Sequence, residues 1–548
     1  MRALVAVALV LSTGCTKNGP RKVGTQPSWR KTEKPAPVVR SVTFAPTTEA
    51  VQRYNEPFQT PPKSPLNDAI AAAVRDAAAK AGTQTPVADA RLFRACAELA
   101  EIVPEDGAVG FSLIEFALQR QGIIEPSPSL LVMWGDIESP EAIVEQLQPH
   151  IERYLADGAT ARFGIGTVKS SRDGSDAVVF SMQGSSVTTQ PIPRALPAAG
   201  SFMLDAVVDA RFKHPEVFVT REDGKTDLLK LELGHAGAFR AEVACGAHKG
   251  RQQVEITASD ARGSTVLANF PVWCATTPPA SVTIAPSIDD APVATTEEAE
   301  RRLLAMVNRD RGAQNLPPLA WDDRVAAVSR LHSAEMQRTK NVAHISPTTG
   351  SAADRVRAAG IKTAVVLENV ARARILAEAH QGLMNSPGHR ANIMSSSATH
   401  VGIGVVFGEE STGGLDIFVT QVFTRVQPKV DPARASDQVY AKLTAVKPVG
   451  NSPRLTGIAQ QLADAMAAGK SREQAYALVK KQVDGLGAAY ARVGSSVTAA
   501  AELESLDGAS LLGDATKVDD VGIGIGQGTH AEIGDGAIWI VLLVAQKR

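Results

Sequence analysis

Histidine is concentrated in one part of this 548-residue chain, since five of its ten histidines lie between residues 332 and 400. Two of them, His344 and His389, lie in short polar stretches, and Glu368 falls between them in the sequence. Imidazole is the side chain best suited to proton transfer and metal binding near neutral pH. These three residues can therefore bind a divalent metal such as Zn²⁺ through the imidazoles of His344 and His389 and the Glu368 carboxylate, which leaves one position open. They can also orient one another for acid–base chemistry, because a carboxylate raises the basicity of a neighbouring imidazole.

A purely structural role is the alternative, in which the three side chains form a hydrogen-bonded network that stabilises the fold. No motif places a Ser or Cys nucleophile beside them. Ser346 and Ser386 each precede a proline and are typical of turns or helix caps. We therefore assign no catalytic residue, and His344, Glu368 and His389 remain candidates for that role.

Helices and strands that could position these residues are visible in the pattern. Thr295 and Glu298 have capping-box spacing and predict a helix start. A second helix is predicted from Asp322 to about Arg338, with His332 on its apolar face, which favours a core histidine. A short third helix and two strands near 401–405 and 416–423 follow. His380 is expected on an exposed turn of a helix.

Six short motifs in this region carry a family resemblance. They are Leu-Ala-Trp-Asp (319–322), His-Ser-Ala-Glu-Met (332–336), Ala-His-Ile-Ser-Pro (343–347), Leu-Glu-Asn-Val (367–370), Asn-Ser-Pro-Gly-His-Arg-Ala-Asn-Ile (385–393) and Thr-Gln-Val-Phe (420–423). In type and order they resemble the CAP superfamily (cysteine-rich secretory proteins, antigen five and pathogenesis-related proteins), in its bacterial SCP-like branch. The resemblance implies a CAP domain over residues 296–427.

The CAP resemblance implies an α/β fold, an α–β–α sandwich with a central cleft in which His344, Glu368 and His389 converge. The chain departs from the family pattern at two positions. Ala343 precedes His344 where the family usually has Ser, and Leu367 precedes Glu368 where the family usually has Gly. A fourth polar residue of eukaryotic members, a Glu on the helix before the last His, has no clear counterpart. Glu378 is the nearest carboxylate.

The regions around the predicted CAP domain suggest repetition. Gly-Ile-Gly followed by an apolar strand occurs at 164–166, 402–404 and 522–524, each time after helices. We predict degenerate CAP-like copies over 65–190 and 436–548. Short alternating segments over 195–278 predict an inserted β-sandwich, in which Cys245 and Cys274 are expected to form a disulfide. Residues 279–295 are expected to be a linker.

The first fifteen residues resemble a targeting signal. A short positive start and an apolar run precede Ser-Thr-Gly-Cys, which resembles a lipobox with Cys15 as the lipidated residue. An ordinary cleaved signal peptide is the alternative. Residues 1–15 are thus predicted to be a lipoprotein signal peptide, and the proline-rich, basic residues 16–64 an extended tether.

The amino-acid composition limits the classes of function that this protein can have. A formal net charge of −1 excludes a bulk basic field and argues against nucleic acid as a partner. We expect an extracytoplasmic protein anchored to a membrane through its lipid, at the outer membrane or cell surface. Its cleft is expected to bind a small ligand, a lipid, an envelope polymer or a divalent metal such as Zn²⁺. An envelope hydrolase or peptidase is one alternative, and a structural or adhesion protein is the other.

Overall fold

The computed structural model describes residues 9–11, 41–57, 60–103, 109–126, 128–156, 160–169, 176–284, 289, 291–411, 414–426, 429–504, 506–513, 517–531 and 533–548. The predicted lipidation site Cys15 lies outside the described residues, as do most of the predicted signal peptide and the first part of the tether. Within the described part of the chain, no helix has the length and apolar character needed to cross a membrane.

The first α/β unit covers residues 65–184, and three short strands precede it. Its first helix begins at the N-cap Ser64, which is followed by Pro65, and ends at Gly82 in the left-handed conformation. The elements are β1 (Leu9–Leu11), β2 (Val42–Phe44), β3 (Arg53–Tyr54), α1 (Pro65–Ala81), β4 (Val87–Ala88), α2 (Ala90–Ala100), α3 (Phe111–Arg120), β5 (Ser129–Gly135), α4 (Pro140–Leu155), β6 (Thr160–Val168) and β7 (Asp176–Gly184). The sheet order is β1-β5-β7-β6-β4.

Residues 187–274 form two mainly antiparallel sheets packed face to face, called here the sandwich. Its strands are β8 (Val187–Thr189), β10 (Ala195–Leu196), β11 (Ser201–Val208), β12 (Lys213–Thr220), β13 (Thr226–Leu228), β14 (Glu232–Leu233), β15 (Ala238–Ala244), β16 (Gly250–Asp260) and β17 (Gly263–Cys274). Between β8 and β10 in the sequence, β9 (Ile192–Pro193) belongs to neither sheet. Alternate side chains of both sheets fill one apolar core. The structure places Cys245 and Cys274 in a disulfide, with their Cα atoms 5.6 Å apart.

Parts of the predicted tether and linker are not extended segments in the structure, because short strands within them pair with other strands. Strand β2 pairs with β18 (Val282–Ile284), and β3 pairs with β9. Phe44 and Tyr54 are buried, and the Tyr54 hydroxyl donates to the Pro271 carbonyl at 2.7 Å. Residues 42–54 are therefore part of the folded body, because two aromatic side chains bury enough surface to hold an otherwise polar segment.

Residues 296–424 form the central α/β unit. Its elements are α5 (Thr296–Ala313), β19 (Ala320–Trp321), α6 (Asp323–Thr339), α7 (Ala352–Ala358), β20 (Val366–Ala373), α8 (Leu376–Asn385), α9 (Pro387–Ile393), β21 (His400–Ser411) and β22 (Gly414–Thr424). The sheet order is β19-β21-β22-β20. Helices α5 and α8 pack on one face through Phe423 and its neighbours, and α6 and α7 pack on the other through Val422. The predicted α–β–α layering of this unit is confirmed.

The Gly-Ile-Gly segment of β21 explains how closely α6 packs on the sheet. The helix begins at the N-cap Asp322, directly after β19, which is parallel to β21. A Cβ atom at Gly402 would collide with the backbone at Ala326, and one at Gly404 with the backbone at Arg330. Glycine at both positions lets the helix backbone lie directly on the strand.

The last α/β unit covers residues 432–547. Its elements are α10 (Pro432–Val446), β23 (Gly450–Asn451), α11 (Pro453–Ala467), α12 (Arg472–Asp484), a 3₁₀ helix (Gly485–Ala488), β24 (Tyr490–Ala500), α13 (Gly508–Leu512), β25 (Asp520–His530) and β26 (Gly534–Lys547). The sheet order is β23-β25-β26-β24.

The three α/β units share one strand order. In each, a short strand lies parallel to the first strand of a long hairpin, and a fourth strand pairs antiparallel with the second hairpin strand. The helix after the short strand packs against the Gly-Ile-Gly glycines every time. Only in the first unit does an additional strand, β1, extend this order among the described residues.

Candidate functional site

His344 lies in the loop between α6 and α7 of the central unit. Its side chain is 23% exposed, and its Nδ1 lies 3.0 Å from the Glu368 Oε1 atom. With Nδ1 bound to the carboxylate, the Nε2 atom is the one left for other partners. The carboxylate therefore fixes the orientation of the imidazole.

Glu368 projects from β20 and is almost completely buried. Its second oxygen, Oε2, accepts a hydrogen bond from the Arg355 guanidinium on α7. Burial alone would raise the pKa of Glu368, but the hydrogen bond from His344 and the positive charge of Arg355 outweigh this effect and lower the pKa. The carboxylate is thus ionised at neutral pH and fully paired.

Arg355 also ties the His344 loop to α7. Its guanidinium donates to the His344 carbonyl at 3.2 Å and to the Gly350 carbonyl at 2.6 Å. Arg355 therefore holds in place both the Glu368 carboxylate and the backbone of the loop that carries His344.

His389 lies on the short helix α9, across the cleft from His344. The two ring centroids are 6.1 Å apart, and the His389 Nδ1 atom lies 2.8 Å from the Ser386 hydroxyl. The surrounding protein and the neighbouring His344 both disfavour the charged form, so the pKa of His389 is lowered. A neutral imidazole is expected at this position near pH 7.

Buried amides hold α9 against β20. Asn369 donates to the His389 carbonyl at 3.1 Å, and Asn392 donates to the Glu368 carbonyl at 3.1 Å. Asn369 also donates to the Gln421 side chain on β22. These bonds explain why Asn appears in the motifs around both Glu368 and His389, and they fix the distance between the two.

The residues present do not fit a Zn²⁺ site with His344, Glu368 and His389 as its three protein ligands. Both oxygens of Glu368 are already bound, one to His344 and the other to a cationic guanidinium. In the described parts of the chain, no group of three His, Cys, Asp or Glu residues is arranged to hold a metal ion. Glu368 orients a histidine, and at most two imidazoles remain as donors.

The comparison with protein families decides the identity of this unit. Residues 304–423 match the model of the cysteine-rich secretory protein family, CAP. The chain carries a CAP domain. The resemblance predicted from the six motifs is confirmed, and three of these motifs, 343–347, 367–370 and 385–393, contribute residues to one cleft.

Two proteins of known sequence are similar to part of this chain. The chain is 34% identical over 108 residues to "Uncharacterized protein YkwD" of Bacillus subtilis (strain 168), which is 20% of this chain and 42% of the relative. It is 32% identical over 108 residues to "Uncharacterized membrane protein YlbC" of the same organism, 20% of this chain and 31% of the relative. The chain therefore spans less than half the length of either.

Among solved structures, an extracellular protein containing a SCP domain from Bacillus anthracis str. Ames is similar at 21% identity and a TM-score of 0.22. That match covers 42% of this chain and 68% of the other. At this TM-score the likeness adds nothing to the family match.

The cleft of the CAP domain is a chamber of about 480 Å³. His344, Glu368 and His389 line one side, and residues of sandwich strands β12, β16 and β17 line the other. This second wall is not predictable from the sequence, because a strand's partner in another unit leaves no local pattern. Glu255 of β16 is the buried carboxylate that this wall contributes.

Three other residues singled out in the sequence lie outside the chamber. His332 is buried on α6, and its Nε2 lies 2.8 Å from the Ala343 carbonyl, as a core histidine would. Glu378 accepts from the Phe111 backbone of the first unit at 3.2 Å, so it does not supply a fourth cleft carboxylate. The expectation that His380 is exposed is wrong, because its Nε2 pairs with Asp310 of α5 at 2.8 Å and the side chain is buried.

Proposed function

We propose that this chain is an extracytoplasmic, lipid-anchored protein whose CAP cleft binds a small ligand. The observation that carries the proposal is the chamber of about 480 Å³, with two oriented imidazoles in an otherwise mostly apolar wall. Such a cavity lies within the size range of small-molecule sites, which combine apolar surface with a few fixed polar groups. Because the Glu368 carboxylate already orients His344, it does not serve as a metal ligand. An organic ligand is therefore favoured over a metal.

Hydrolysis is the second candidate function, because Ser386 lies beside His389. Its arrangement argues against a nucleophile. Ser386 precedes α9, is buried, and holds the Nδ1 atom of His389. A catalytic serine needs its histidine to be oriented by a further carboxylate on the other ring nitrogen. Here the serine hydroxyl itself lies between His389 and Glu255, so we assign it to positioning.

The disulfide supports an extracytoplasmic location. Cys245 and Cys274 are both fully buried in the sandwich, and such bonds persist in oxidising compartments. The lipobox-like sequence ending at Cys15 supports lipid anchoring through the same export route. The outer membrane or the cell surface is the proposed site, with the membrane as the partner of the lipid.

Replacing the lipidation site should release the protein. We expect Cys15→Ser to move the chain from the membrane fraction to the soluble extracytoplasmic fraction, because its acyl chains supply the anchor. Intact mass spectrometry of the wild type should show a lipid on the mature N-terminus. The matched control is Cys96→Ala, which removes a buried free cysteine and should leave the protein on the membrane. Unchanged membrane retention of Cys15→Ser would contradict the anchor.

Loss of both cleft imidazoles should abolish binding. Ligand-observed NMR with a library of small amines, alcohols and carboxylates should identify binders of the wild type. The double variant His344→Ala, His389→Ala should bind the same compounds at least about tenfold more weakly, because it removes the oriented polar groups. His235→Ala, His248→Ala, which changes two exposed sandwich histidines, should bind as the wild type does. Equal binding by both variants would exclude the cleft.

We further infer that the flanking α/β units are copies of the CAP fold without the cleft residues. The shared strand order supports this inference, and so does the register. Glu368 lies opposite Val422, which also pairs with Gly402. The same register position in the first unit is Leu130 and in the last unit is Ser495. Neither can orient a histidine as Glu368 does.

A further inference from the structure

One hairpin of the sandwich, β16 and β17, contacts both histidine segments of the CAP cleft. At its turn, the Arg262 carbonyl accepts from the backbone N–H groups of His344 and Ile345 at 3.1 and 2.9 Å. Gly263 follows with φ of +104°, and a Cβ atom there would press on the His344 side chain. The hairpin turn is thus fitted to the His344 loop.

The same hairpin contacts the His389 helix further along β16. Glu255 accepts at Oε1 from the Gly388 backbone N–H at 2.8 Å. On β17, Asn269 donates to the Asn385 carbonyl at 3.1 Å. The sandwich therefore spans the cleft from one histidine to the other, and two domains of one chain line the chamber.

One carboxylate oxygen of Glu255 has no partner in this chamber. The side chain is 0% exposed, and its Oε2 atom has no hydrogen-bond partner among the described residues. Thr257, two residues along the same strand face, also lines the chamber with an unpaired hydroxyl. Burial raises the pKa of Glu255 to about 7 in spite of its bonds to Ser386 and Gly388. An unpaired buried carboxyl group is costly unless a ligand completes it.

The other residues that line the chamber indicate which kind of ligand would pair with Glu255. Three carboxylates, Glu216, Glu255 and Glu368, line the chamber, and among its described lining residues there is neither Lys nor Arg. Arg355 already compensates Glu368. The rest of the wall is largely apolar, with Phe218 and Val266 from the sandwich and Ile345 and Leu367 from the CAP domain. An anion would meet an unpaired carboxylate, whereas an ammonium group would pair with it.

We propose that the sandwich completes the CAP binding site and that Glu255 anchors the ligand, a small organic cation that carries a primary ammonium on an apolar stem. This inference rests on the proposed function, because it names the ligand class of the same chamber. The ammonium donates to Glu255 and Thr257, the apolar stem packs on Phe218 and Leu367, and the imidazoles of His344 and His389 offer further acceptors.

Calorimetric titration of the full chain with n-hexylammonium tests this assignment, with n-hexanol and hexanoate as neutral and anionic probes of the same stem. We expect n-hexylammonium to bind most tightly and hexanoate not to bind. Glu255→Gln keeps an acceptor for Gly388 but removes the charge, so it should weaken n-hexylammonium binding by about 10- to 100-fold. The matched control is Glu242→Gln on an exposed position of sandwich strand β15, which should bind as the wild type does.

A second variant keeps the test decisive if Glu255→Gln does not fold. Thr257→Val is nearly isosteric and removes only the unpaired hydroxyl, so we expect a loss of several-fold in n-hexylammonium affinity. Wild-type affinity in both variants, or equal binding of hexanoate and n-hexylammonium, would overturn the assignment. If His344→Ala, His389→Ala still weakens the binding of other library compounds, the proposed function stands without it. If no compound binds the wild type, both fail.

Discussion

Arg355→Met should destabilise the CAP domain by about 3–5 kcal/mol, because it leaves a buried, charged carboxylate without its cationic partner. The side chains of Arg355 and Glu368 are each only 5% exposed, so water cannot replace the lost partner. The pKa of Glu368 should rise towards that of a buried carboxyl group, since the remaining His344 bond only partly offsets burial. Hydrogen exchange of the backbone amides in β20 and β22 measures the change, since it reports on this domain separately.

Two further variants show whether the effect comes from the buried pair. Arg355→Met combined with Glu368→Gln removes the stranded charge and should recover part of the lost stability. Arg357→Met changes a neighbour on α7 whose partner Asp354 is exposed, and should cost less than about 0.5 kcal/mol. If Arg355→Met exchanged at the wild-type rate, Arg355 would not be the partner that stabilises the Glu368 charge.

Loss of the Cys245–Cys274 disulfide should destabilise the sandwich by about 3–4 kcal/mol, since the bond closes a long loop in the unfolded chain. The cysteines are 29 positions apart in the sequence. Cys245→Ala, Cys274→Ala should therefore speed hydrogen exchange in β15, β16 and β17. Because β16 carries Glu255, the same variant should also weaken n-hexylammonium binding.

Reduction provides the matched comparison. A reductant should lower the protection of the wild type to that of the double variant and leave the variant itself unchanged. Cys96→Ala, which lacks only the free buried thiol, should respond to the reductant as the wild type does. A wild type whose sandwich amides exchange equally fast with and without reductant would contradict a stabilising role for this bond.

The sequence was sufficient to place the three cleft residues of the CAP domain. Its motifs are local, so they identified His344, Glu368 and His389 and the α–β–α layers that bring them together. The partner of Glu368 was not predicted, because Arg355 lies in a short helix without a motif of its own.

The side of the chamber that the sandwich forms could not be predicted from the sequence, for a physical reason. In β16, Val254 and Ile256 face the sandwich core, and the alternating Gln253, Glu255 and Thr257 have the pattern of a solvent-facing side. In the structure both faces are buried, because the CAP cleft covers the polar one. Contacts between separate units of a chain leave no periodic signal in either unit.

The predicted tether was incomplete for a related reason. Low apolar content indicated an extended segment, but Phe44 and Tyr54 insert into the cores of neighbouring units. The sequence neighbours of His380 predict an exposed helix turn, whereas its partner Asp310 comes from another helix of the same domain.

The central claim is that a small ligand binds between His344 and His389 in the chamber that the sandwich lines on one side. Proton–nitrogen correlation NMR of the histidine imidazoles, recorded while the tightest compound of the library is added, tests it most directly. The signals of His344 and His389 should shift together along one binding curve, and those of the exposed His235 and His248 should stay in place. Binding that leaves both cleft signals unmoved, or that moves all four alike, would contradict the account.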